Sequence, residues 1–299
     1  MIEFIISLKE KGMKRAAITN YIKPVISCCK INDILINTTK VNKFMPPNVK
    51  NRKSRAYTVG EIQKLLDIAD ERLRAAILIL SSTGMRIGGL VGLTVGNLEA
   101  VENRLYKVTV YENEPEEYIT FTTSEAKEKG IDSYLAMRER YGEVILPSSP
   151  LIREQFDKRD PFAAVHPRHV NVITIAKKIS ELAEATGLRT RLERRNGISH
   201  RKEVPNCNGF RRYYSTMLVN SSLTTELRWL LEGHNLKGND TSYVRVTVAD
   251  LLRQYLLAHD NLVIDQSHKL QKQVEQMTEE RSQFDRLAAQ IKALEAKIK

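Results

Sequence analysis

The feature that most restricts the fold is a helix with apolar residues on nearly every side. Leu73, Ala76, Ile77 and Leu80 recur at helical spacing, and the residues between them are mostly apolar too. A helix at a domain surface shows one apolar stripe; one that is apolar all round is surrounded by other elements. This helix is therefore expected to be deeply buried. It runs into Ser81-Ser82-Thr83-Gly84, a stop signal, and then into Met85-Arg86-Ile87-Gly88-Gly89-Leu90. An arginine directly past a buried helix predicts a buried guanidinium, which needs a carboxylate or a bound anion beside it. Acidic residues are few before Glu99.

The flanking sequence supplies the neighbours. Residues 3 to 36 read as two helices, with Ile5, Ile6 and Leu8 on the first and Ile18, Tyr21, Ile22, Val25 and Ile26 on the second. Residues 40 to 55 read as a linker. Pro46-Pro47 stops any helix, and Lys40, Lys43, Lys50, Arg52, Lys53 and Arg55 stand there without an acid. Thr58-Val59-Gly60-Glu61 is a capping box that starts a helix, with Ile62, Leu65, Leu66 and Ala69 on one face. Residues 104 to 122 alternate in the manner of a β-hairpin. Tyr106, Val108 and Val110 face one way and Lys107, Thr109 and Tyr111 the other, and the turn is the acidic Glu112-Asn113-Glu114-Pro115-Glu116-Glu117.

Beyond the hairpin, Ser124 is expected to cap a helix reaching Tyr141, and residues 142 to 166 read as loop. A long helix is expected from about Pro167 to Thr186, closed by Gly187. A basic loop follows, Arg189 to Pro205, with Arg191, Arg194, Arg195, Arg201 and Lys202. It leads into Asn208-Gly209-Phe210-Arg211-Arg212 and on to Gly233-His234 and Tyr243. Residues 248 to 260 form another amphipathic helix. From His268 onward, Leu270, Val274, Met277, Phe284, Leu287, Ile291, Leu294 and Ile298 recur in a heptad-like pattern, a coiled coil or a docking helix.

Composition bears on the partner. The formal net charge is +11 over 299 residues. A polyanionic partner accounts for so basic a chain, because each neutralised phosphate releases a counterion. Cys28, Cys29 and Cys207 are three in number, and none is paired as C-x-x-C. They predict neither a zinc site nor a disulfide framework, and they fit a reducing, cytoplasmic setting. The N-terminal apolar run is too short for a signal peptide, and Ala75–Leu80 falls far below the roughly 18 apolar residues of a membrane span.

Arginines suit phosphate because their fork is planar, bidentate and always charged. A tyrosine can attack phosphorus and hold a strand covalently. No phosphate-binding G-x-x-x-x-G-K-[ST] loop, H-E-x-x-H or G-x-S-x-G motif competes with that chemistry. Over roughly residues 13 to 264, the chain resembles the tyrosine recombinase (phage-type integrase) family, most closely its archaeal integrases. Thr83-Gly84-Met85-Arg86 matches the family's T-G-x-R. Asn208-Gly209-Phe210-Arg211 stands in place of H-x-x-R, and Leu231-Glu232-Gly233-His234 matches L-x-G-H. Tyr243 follows His234 by nine residues.

The resemblance implies a mainly α fold with a small antiparallel β-sheet (α+β). It implies a partial helical DNA-binding module with its linker over 1–50, a catalytic domain over 51–264, and a coiled-coil-like helix over 265–299. It implies site-specific breakage and rejoining of double-stranded DNA, by a tetramer on paired sites, with no metal and no ATP. Tyr243 would be the nucleophile. Arg86 and Arg211 would bind the non-bridging oxygens, and His234 would hydrogen-bond the phosphate or assist proton transfer. A hairpin lysine, Lys107 with Lys127 as second choice, would protonate the 5′ oxygen. Asn208 would contact the phosphate, and Lys50, Arg52, Lys53, Arg55, Arg194, Arg195, Arg201, Lys202 and Arg212 would contact the DNA. Three departures stand out: Gly89 where the family often has an acid, Asn208 for histidine, and an acidic hairpin turn. A recombinase-derived DNA-binding protein and a type IB topoisomerase-like enzyme are the alternatives.

Overall fold

The structure is a computed structural model. It describes residues 1–48, 54–189, 204–234 and 246–265, together with residues 267, 270, 274, 277, 278 and 281. The chain divides into two compact units, Met1–Lys53 and Ser54–Lys299.

Among the described residues the smaller unit has three helices: α1 (Ile2–Glu10), α2 (Arg15–Ile31) and α3 (Thr38–Phe44). Its core is Ile5, Leu8, Ile18, Ile22 and Val41. The third helix lies where a linker was expected. Asn37 starts it by accepting a hydrogen bond from the Lys40 amide, yet Val41 is the only residue it buries, so it carries no periodic signal. Ile6, Tyr21 and Val25, expected to serve the two helices inwardly, are exposed.

The larger unit is organised around α5 (Glu71–Thr83), in which every residue from Ala75 to Thr83 is buried. Asp70 caps it by accepting from the Leu73 amide. Packed on α5 are α4 (Val59–Ile68), α6 (Ile87–Gly92), α7 (Ser133–Arg140), α9 (Val172–Ala185) and α10 (Asn206–Asn220), with strand β3 of the sheet described next. The Thr58–Glu61 capping box at the start of α4 is fully formed.

The sheet has three antiparallel strands in the order β1 (Leu98–Val101), β2 (Leu105–Val110), β3 (Tyr118–Phe121). The hairpin is β2–β3. The edge strand β1 has four residues, too few for alternation to reveal it. Val108 and Val110 turn into the core, while Lys107 and Thr109 are half-buried on the other face.

Past the sheet, the helix expected from Ser124 is interrupted by a π-helical segment, Ala126–Asp132, before α7. The Thr123 hydroxyl, one residue earlier than expected, accepts from the Ala126 amide. Within residues 142 to 166 lies a short helix, α8 (Pro161–Val165). The long helix begins at Val172, where Asn171 caps it, rather than near Pro167.

Arg138 is fully buried. It pairs with Glu143, which also takes a 2.6 Å contact from Arg153, and both arginines donate further to backbone carbonyls. Helices α11 (Thr225–Leu231) and α12 (Val248–Leu262) follow in the same unit. The Tyr255 hydroxyl donates to the Ser82 carbonyl at 2.8 Å, fixing α12 to the end of α5. Among the described residues no helix is long and apolar enough to cross a membrane.

Candidate active site

The site begins where α5 ends. Gly84 takes a left-handed conformation with φ of 62°, a region that favours glycine. The Tyr214 ring lies so close that any side chain at position 84 would collide with it. The turn delivers Arg86, whose guanidinium is exposed rather than buried as expected. Its position two residues past the turn takes it clear of the packed end of α5, which leaves it open to an incoming anion.

Arg211, on α10, ties three distant parts of the sequence together. One Nη donates to the Gly84 carbonyl at 2.7 Å. The other donates to the Glu232 carbonyl at 2.7 Å and to His234 Nε2 at 2.9 Å. A guanidinium only donates, so His234 Nε2 must accept, and its proton lies on Nδ1. That nitrogen faces Glu232 Oε2 at 3.3 Å. Glu232 is buried, and its other carboxylate oxygen accepts from the Ser215 hydroxyl at 2.6 Å. Burial lowers the His234 pKa and Arg211 lowers it further, against the opposing pull of Glu232. The imidazole is therefore neutral at neutral pH.

Gly233, with φ of 66°, makes the turn that separates Glu232 from His234. A side chain there would stand 2.5 Å from the Tyr118 ring. Burial pushes the Tyr118 phenol up to about 12, against the pull of Arg211 and Arg86.

Arg86, Arg211 and His234 thus gather in one place, while other expected residues lie elsewhere. Lys107 sits opposite Glu99 in the β1–β2 register and is paired with its carboxylate. Lys127 pairs with Asp132 at 2.6 Å and lies over the Tyr106 ring. Asn208 is exposed on the first turn of α10, one turn before Arg211. Arg55 forms a two-pronged pair with Glu61, and Arg212 donates to the Ser54 carbonyl at 2.7 Å. Tyr243, Lys50, Arg52, Lys53, Arg194, Arg195, Arg201 and Lys202 lie outside the described residues.

Two participants were not anticipated, Glu232 and Tyr118. Glu232 stands inside the L-x-G-H motif at the variable position, so nothing in the pattern marks it. Gly89 has a packing cause: a side chain there would stand 2.9 Å from Val110 Cγ1, so an acid has no room. Among the described residues no group of three or more His, Cys, Asp or Glu side chains could hold a metal ion.

The sequence profile of the phage integrase family matches residues 55–249. The chain belongs to the phage integrase family, the tyrosine recombinases. No curated protein matches the sequence closely enough to count as a relative. Among solved structures, the Tn1549 transposon integrase in complex with transposon right end DNA is similar at a TM-score of 0.55 and 18% identity, over 85% of this chain and 82% of that one. The same integrase with circular intermediate DNA gives 0.52 and 18%, over 85% and 82%. The XerA recombinase gives 0.47 and 16%, over 83% and 77%. The Tn1549 structures share the mainly helical fold with its small antiparallel sheet, which this phage integrase family member therefore has.

Proposed function

We propose that this protein is a site-specific DNA recombinase of a mobile genetic element, acting through Tyr243. The tyrosine passes its phenolic proton to the His234 imidazole as its oxygen attacks the scissile phosphorus and forms a 3′-phosphotyrosyl bond; the phosphorus–5′ oxygen bond breaks, and the 5′ oxygen takes up a proton. Attack by that 5′ hydroxyl, or by one from a partner strand, reverses the step without ATP. The observation that carries this reading is Arg211, whose side chain joins the Gly84 turn to the Glu232–His234 turn. It brings the family's two arginine motifs and its histidine motif to one point.

Arg86 and Arg211 take the non-bridging oxygens, where their charge offsets the negative charge that builds in the transition state. When Arg211 turns to phosphate, His234 Nε2 is released with its lone pair free. This supports a proton-transfer role for the imidazole, oriented by Glu232. Asn208 adds a hydrogen bond to the phosphate. Lys107 donates the proton to the 5′ oxygen after release from Glu99, with Lys127 as the alternative. The DNA lies along Lys50, Arg52, Lys53, Arg55, Arg194, Arg195, Arg201, Lys202 and Arg212. Residues 1–50 act as a DNA-binding module, 51–264 as the catalytic domain and 265–299 as a coiled-coil-like helix, and the protein works as a tetramer on DNA. The Tn1549 integrase, crystallised on transposon-end DNA, has the fold such an arrangement uses.

The pairing of Lys107 with Glu99 favours a second reading, a recombinase-derived DNA-binding protein that no longer cleaves. A nicked suicide duplex bearing the junction sequence beside this gene separates the two. The recombinase is expected to accumulate a covalent DNA adduct that Tyr243→Phe abolishes. Sequence-specific binding without any adduct would support the second reading.

A further inference from the structure

We infer that Tyr118 is a further phosphate-contacting residue of this site, its hydroxyl donating a hydrogen bond to a non-bridging oxygen of the scissile phosphate. The inference rests on the reading that Arg86 and Arg211 bind that phosphate. Tyr118 opens β3, opposite Val110 at the end of the hairpin. Its ring fills the space over Gly233, and both neighbours of Gly233 accept hydrogen bonds from Arg211. The phenol therefore lies against the same turn that Arg211 grips. Its oxygen is shut off from solvent; Arg211 lies beside it as a donor, and nothing among the described residues accepts its proton.

A buried hydroxyl whose proton finds no acceptor is destabilising and uncommon in a folded protein. What Tyr118 lacks is an acceptor. The cations beside it, Arg211 and Arg86, cannot supply one, because a guanidinium carries only donors. The missing acceptor must arrive from outside, reaching the covered phenol as Arg211 turns to the phosphate, and two cations next to it select an anion. A phosphodiester brings two non-bridging oxygens, enough for both guanidiniums and the phenol together. The phenol keeps its proton at neutral pH, so it serves as a donor and not as a second nucleophile.

The test compares Tyr118→Phe with the wild type on the duplex that the wild type cleaves. Removing one hydrogen bond to a charged group should slow single-turnover adduct formation about 10- to 100-fold. DNA binding should be unchanged, and the melting temperature equal or higher, because a buried hydroxyl without an acceptor has gone. The same pair is then assayed on the two methylphosphonate stereoisomers of the scissile linkage. On the isomer lacking the oxygen that Tyr118 contacts, variant and wild type should cleave at the same rate.

Wild-type cleavage by Tyr118→Phe, or an equal penalty on the phosphate and both methylphosphonates with a lowered melting temperature, would overturn the inference. Arg211→Ala serves as the control. If it still forms adduct at the wild-type rate, or if the wild type cleaves no duplex, the phosphate reading itself fails and Tyr118 falls with it. If Arg211→Ala is inactive while Tyr118→Phe is not impaired, only the role of Tyr118 is lost.

Discussion

At the scale of single residues, the state of the site turns on one proton. His234 Nε2 can accept from Arg211 only while the imidazole is neutral, and its pKa is held below the ordinary value first by burial and then by Arg211. The unfolded chain, with a histidine pKa near 6.5, therefore binds more protons than the folded one just below that pH. Stability from this group is complete above that pH and is lost as pH falls toward the folded-state value. Solvent screening keeps the effect small, since the side chain is 41% exposed. Imidazole NMR should give a titration midpoint for His234 below about 6.5. Glu232→Gln should move it lower still, because the buried carboxylate supports the charged form. A midpoint that stays put in that variant would remove Glu232 as the residue that orients the histidine.

At the scale of elements, the parts carried by local chemistry were legible and the parts carried by contacts were not. The start of α4 is written in Thr58 and Glu61, and the β2–β3 hairpin in its alternation. Neither α3 nor β1 has such a signature, because each is short and defined by what it packs on. Arg138 illustrates the limit. Its place near the end of α7 suits a surface residue as well as a core one, and only the fold brings Glu143 and Arg153 to it. Those charges hold the end of α7 to the chain leading into α8. Glu143→Ala would leave two buried guanidiniums facing each other and should cost about 3–5 kcal/mol in urea unfolding. A loss within about 0.5 kcal/mol, typical of a surface substitution, would show that the trio contributes nothing to stability.

For the whole molecule the decisive quantity is charge. The net +11 predicts DNA binding that weakens steeply with salt, with log K falling by about 0.9 per phosphate neutralised for each unit of log salt concentration. Replacing Arg194, Arg195, Arg201 and Lys202 by alanine, singly and together, should flatten that slope by about one for each phosphate no longer neutralised. Affinity should fall alike on all DNA sequences. A slope unchanged in the fourfold variant would take this segment out of the interface. The sequence by itself determined the family, the helix that must be buried, the hairpin and the order of the four motifs, because periodicity, caps and motif spacing are properties of neighbouring residues. The tertiary structure alone decided that Arg86 is open to solvent, that Arg211 joins the Gly84 and Glu232 turns, that Gly89 has no room for an acid, and that Tyr118 finds no acceptor for its proton beside two arginines. Each of these depends on which residues far apart in the chain share a few ångströms of space, and no local pattern records that.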